Sequence, residues 1–84
     1  MAKPFRRAQA PVAGAVTLIL SRPNDAVLGE VKLADGTAFS STGALPVAEA
    51  FGIAVHVANE GNLEIVVVDP QDTWKESWGT LIAA

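Results

Sequence analysis

The segment that most limits how this chain can fold is residues 53–68, IAVHVANEGNLEIVVV. Two β-branched runs flank a polar turn, and each alternates with a period of two. The pattern predicts a β-hairpin with a definable register. Ile53, Val55 and Val57 share one face of the first strand, and Leu63, Ile65 and Val67 share one face of the second. A two-residue loop would set these residues against the wrong face. A three-residue loop, Asn59-Glu60-Gly61, pairs Val57 with Leu63, Val55 with Ile65 and Ile53 with Val67. It also puts Gly61 where left-handed backbone is needed. His56 then faces Glu64 across the hairpin.

The rest of the chain is read around that hairpin. Residues 12–20, VAGAVTLIL, form an unbroken apolar run, as in a strand buried on both faces. Residues 27–33 alternate: Val27, Val31 and Leu33 face one way, and Leu28, Glu30 and Lys32 form a wet face. A three-residue loop at Ala34-Asp35-Gly36 pairs Leu33 with Thr37 and Val31 with Phe39. That starts a third strand over 37–41 and turns Phe39 into the core. Residues 40–43 offer helix caps, and a two-turn helix is expected over 44–51. Pro46 sits in its first turn, Val47 and Phe51 share a face, and Gly52 ends it. After the hairpin, Asp69 is a cap and Pro70 the first residue of a second helix over 70–78, closed by Gly79. The expected fold is α+β: a mostly antiparallel five-stranded sheet in β-β-β-α-β-β-α order, with the two short helices packed on it.

Length and composition bound the organisation. A chain of 84 residues makes one small domain with a modest core. No cysteine is present and only one histidine, so neither disulfides nor a zinc site supplements that core. Half the residues are apolar, and an excess of that size in so short a chain points to surface hidden in a homo-oligomer or against a partner. Residues 1–11, MAKPFRRAQAP, carry two prolines and no periodicity and read as a disordered basic arm, leaving 12–84 as the domain. The arm and the apolar run after it resemble the start of an export signal. However, the run is followed by Ser21-Arg22-Pro23-Asn24-Asp25 rather than by small residues, and it is too short to span a bilayer. With no cysteine and no membrane segment, the chain is expected to be cytoplasmic. Charge is uneven: residues 1–33 hold five basic side chains against two acidic ones, and residues 34–84 hold one against seven.

The residue types point away from catalysis. His56 with Glu64 is the only pair resembling an acid–base couple, and no serine, cysteine or second carboxylate joins it in the expected register. The glycines are dispersed, so no phosphate-cradling loop exists, and one histidine cannot supply a zinc site. No cofactor is expected. Trp74, Trp78, Leu81 and Ile82 are the candidate partner-binding residues, because tryptophan dominates binding hot spots; the same rings could instead cover the chain's own Val66 and Val68. Phe5, Arg6 and Arg7 are the candidate anion or nucleic-acid contacts, pairing an aromatic with two cations. The leading expectation is therefore a non-catalytic protein-interaction module, a small regulatory or accessory subunit that binds a protein or itself through the tryptophan-bearing C-terminal helix. The alternative is a nucleic-acid-binding accessory protein that uses the N-terminal arm.

Overall fold

The computed structural model describes residues 5–23, 25–39, 43–75, 78 and 81–82. Its longest element is a helix, α1 (Val47–Gly61), which takes up the first half of the expected hairpin. The apolar pattern of this stretch fits both periods, because almost every inward position is apolar whichever way the backbone turns. Alanine decides between them. Ala50, Ala54 and Ala58 recur every four residues, all three are fully buried, and alanine is the strongest helix former. Gly52 does not end the helix; it lies on the solvent side in mid-helix. The stop comes at Asn62, which adopts left-handed backbone (φ 51°). The Asn62 N–H donates to the Asn59 carbonyl and the Leu63 N–H to the Ala58 carbonyl, satisfying the last orphan acceptors.

Six strands form one mixed sheet: β1 (Phe5–Ala8), β2 (Val16–Ser21), β3 (Leu28–Lys32), β4 (Leu45–Pro46), β5 (Ile65–Val68) and β6 (Leu81–Ile82). Their spatial order is β4-β3-β2-β5-β1-β6. The four strands β2, β5, β1 and β6 run parallel to one another, whereas β3 is antiparallel to β2 and to β4. The architecture is thus α+β, with one α-helix among the described residues, and it corrects the expected mostly antiparallel five-stranded sheet with two helices. The physical reason lies in β5. Once residues 53–61 are helical, Ile65–Val68 has no hairpin partner, and its unbroken IVVV run sits between β1 and β2, where a parallel strand is buried on both faces.

Three further expectations are revised. Residues 5–8, read as part of an arm, form β1, an interior strand; Phe5 aligns with Ile65 on one side and Leu81 on the other. Residues 70–75 are not helical. Asp69 was expected to cap a helix; its carboxylate instead accepts from the Thr73 and Trp74 N–H groups in a non-helical turn. Of the third strand expected over 37–41, the described part, residues 37–39, forms a single bridge between Lys32 and Ala38. The register is the derived one, with the Leu33 N–H donating to Thr37 and the Phe39 N–H to Val31. Gly36 takes the left-handed conformation (φ 90°) that this loop requires. The capping role expected of residues 40–42, and the stop at Gly79, lie outside the described residues.

α1 packs across β2 and β3 on one side of the sheet. Val16, Leu18 and Leu20 of β2, Val31 of β3, and Ile65 and Val67 of β5 point at Ala50, Ala54 and Ala58. The helix comes close because the facing residues are small: a Cβ on Gly29 would lie 2.7 Å from the Ala50 Cβ. On the opposite side, residues 9–15 carry the chain from the end of β1 back to the start of β2. The Val12 N–H donates to the Thr17 hydroxyl, and this segment helps bury Thr17 and Val66. Among the described residues, no helix is long and apolar enough to cross a membrane.

Candidate interaction surface

The two tryptophans lie on the helix side of the sheet. Strand alternation puts Phe5 on that side, and α1 turns Phe51 towards it. Their rings meet at 5.1 Å, and Trp74 completes a triangle with them, its ring centroid 5.1 Å from Phe5 and 6.1 Å from Phe51. Trp78 stacks edge-on against Trp74 at 5.4 Å and lies 6.5 Å from Phe51. Such tilted and edge-to-face pairs are the favoured aromatic geometry. Both tryptophans are half-buried. Lys75 places its Nζ 5.9 Å from the Trp78 ring centroid.

This cluster borders a groove on the outer side of α1. Phe39, Ala48, Glu49, Gly52, Ile53 and His56 line an open depression of about 410 Å³. A second hollow of about 260 Å³, lined by Val47, Ala48, Phe51 and Trp78, adjoins it at Ala48. Phe39 is 48% exposed, a large apolar side chain left in water where the sequence predicted a core residue. The register around Phe39 is correct. Its burial is not, because α1 packs over β2 and β3 and leaves this side chain beside the helix rather than beneath it.

The remaining candidates are dispersed. Leu81 packs against the core from the edge strand β6, and Ile82, one residue on, is 47% exposed. They are not part of the groove. Arg6 and Arg7 both pair with carboxylates of the same chain and point to opposite faces of β1. Arg6 pairs with Glu64 at 2.8 Å on the helix-free face. Arg7 reaches Asp69 at 3.5 Å and Asp72 at 3.3 Å. Phe5 is buried and not available for stacking. His56 does not meet Glu64; its Nε2 lies 3.9 Å from Glu60 Oε1, one helical turn on.

The ends of β1 and β5 make a separate hollow of about 280 Å³, lined by Arg7, Ala8, Gln9, Val68, Asp69 and Pro70. Open sheets often bind ligands beyond the carboxyl ends of parallel strands. Here the polar groups at that end are engaged with one another. The enclosed Asp69 carboxylate accepts from the Thr73 N–H and hydroxyl and from the Trp74 N–H, each at 2.8 Å. Burial alone would push this carboxyl up; the Thr73 and Trp74 hydrogen bonds and the Arg7 charge outweigh it, and the group titrates below the ordinary carboxylate range. Across the same end, Gln71 accepts from the Arg22 N–H at 2.8 Å and donates to the Arg22 carbonyl. This constellation holds the Trp74 segment in place. Among the described residues, no group of three or more histidine or acidic side chains could hold a metal.

No known protein family matches the chain, and neither a curated protein nor a solved structure shows significant similarity to it.

Proposed function

We propose that the chain is a non-catalytic protein-interaction module, cytoplasmic in keeping with its lack of cysteine, which docks a protein through the outer side of α1 and the adjoining Trp78. The observation that carries this reading is the pair of depressions on either side of Ala48, one lined by Phe39, Gly52 and Ile53 and the other by Phe51 and Trp78. It has the composition of an interface centre: aromatic walls, a floor of small residues and few charges. The walls are also rigid, because Phe51 and Trp78 are held by the ring cluster, so little side-chain entropy is lost when they are covered. Trp78, expected from the sequence to bind a partner, keeps that role here. Trp74 supports it from beneath. The nucleic-acid alternative loses its main support, since both arginines already neutralise carboxylates of the same chain.

The test replaces Ala48 with a photo-crosslinking phenylalanine analogue, with the same analogue at the exposed Asp25 as control. Irradiation in host-cell extract should give an adduct with a polypeptide from position 48 and not from 25. No adduct with any polypeptide at position 48, its own chain included, would sink the proposal.

A further inference from the structure

On the reading that the α1 groove is a docking surface, we infer that its occupant is a second copy of this chain, packed helix against helix in antiparallel fashion about a two-fold axis at Gly52. The outermost row of α1 is Ala48, Gly52 and His56, spaced by four residues and so aligned along the helix. A side chain at Gly52 would meet nothing within 4 Å, so the floor of the groove there is bare backbone that another helix can approach closely. A symmetric contact needs a surface complementary to itself.

The charges on this face have that property in one orientation only. Glu49 lies three residues before Gly52, and His56 lies four after it. A two-fold axis at Gly52 reverses the order of the second helix. Glu49 of each copy then stands beside His56 of the other, and the pair occurs twice. Parallel packing in the same register would set Glu49 against Glu49. The two residues cannot satisfy each other within one chain, because seven residues separate them by about 10.5 Å along the axis. The other acid near His56 is its own Glu60, 3.9 Å away and beyond hydrogen-bond reach, and both side chains are largely exposed. The imidazole is therefore free to turn to an acceptor on the facing helix. Phe39 of each copy comes to rest against the apolar flank of the other helix, covering the most exposed large apolar side chain beside the groove.

The experiment is sedimentation of the full chain over a dilution series. The expected result is a dimer that dissociates on dilution. Gly52→Leu fills the groove without a clash inside the monomer, and should leave the far-UV circular dichroism unchanged while abolishing the dimer. Glu49→Lys and His56→Glu should each weaken association by about tenfold, and Glu49→Lys with His56→Glu in one chain should restore it. Restoration is diagnostic, because the two positions can meet only between copies. Dimerisation unaffected by Gly52→Leu, or no restoration in the double variant, overturns the inference. If the chain remains monomeric throughout while position 48 crosslinks to a different polypeptide, the second copy is excluded and the docking surface stands. If position 48 crosslinks to nothing, both fail.

Discussion

Gly29→Ala tests whether α1 lies where the structure has it. Gly29 is the point of closest approach between helix and sheet. The added methyl would stand 2.7 Å from the Ala50 Cβ and 3.2 Å from Leu18 Cδ1. Carbon atoms pack at about 3.5–4.0 Å, so the new contact to Ala50 is about 1 Å too short. Leu18 can rotate; Ala50 has no side-chain torsion to relieve the overlap, so helix or strand must shift. Overpacking of this kind costs about 1–3 kcal/mol. Replacing glycine recovers about 0.4–1 kcal/mol by restricting the unfolded chain, which leaves a net loss of about 1–2 kcal/mol. Urea unfolding followed by far-UV circular dichroism should show the midpoint falling with the slope unchanged, and the thermal midpoint should drop by about 4–8 °C per kcal/mol. Ala50→Gly removes the atom that clashes. By itself it weakens the helix, yet combined with Gly29→Ala it should be less destabilising than the sum of the two changes by about 1 kcal/mol. A Gly29→Ala protein as stable as the parent, or a strictly additive pair, would refute the packing of α1 on β3.

Two other consequences can be measured on the same material. Asp69→Asn removes the charge that balances Arg7 and one acceptor of the Trp74 N–H, and should cost about 1.5–3 kcal/mol at neutral pH. The folded-state titration of Asp69 lies below its unfolded value of about 3.9, so its contribution is present above that pH and fades as pH falls through the folded value. The parent should therefore lose stability in acid more steeply than Asp69→Asn, and parallel pH profiles would count against the buried carboxylate. The edge-on Trp74–Trp78 pair at 5.4 Å should give an exciton couplet in circular dichroism that vanishes in Trp78→Phe while the fold persists. A couplet that survives would mean that the rings are not paired.

How much of this was legible in the sequence varies by element. The apolar run ending at Leu20 and the alternating run after Val27 become β2 and β3 because their burial patterns are local: an unbroken run suits an interior strand, and alternation suits a strand with one wet face. The turn at Asp35-Gly36 was also readable, since Gly36 supplies the positive φ and the Asp35 carboxylate accepts from both the Thr37 N–H and hydroxyl. Asp69 was legible as a cap, but the helix after it was not there to be capped. Pro70 and Asp72 suit a first helical turn, yet Asp72 adopts a positive φ of 54° and the chain turns so that Trp74 can fill the space beside Phe5.

Residues 53–61 mark the limit most plainly. Their alternation is real, and so is the four-residue spacing of Ala50, Ala54 and Ala58. Local pattern alone does not choose between a strand and a helix in a stretch this apolar. The sheet chooses, because Gly29 leaves a shallow place in β3 that only a helix faced with alanine can enter closely. Once that choice is made, the groove along Ala48 and Gly52 exists, β5 moves to the middle of a parallel array, and the two arginines become part of a strand and pair with carboxylates of the same chain. By itself the sequence determined a small, cysteine-free α+β domain with more apolar surface than its core requires. Which residues carry that surplus on the outside was decided by tertiary packing, because burial depends on which face the neighbouring element covers and not on the residue's own hydropathy.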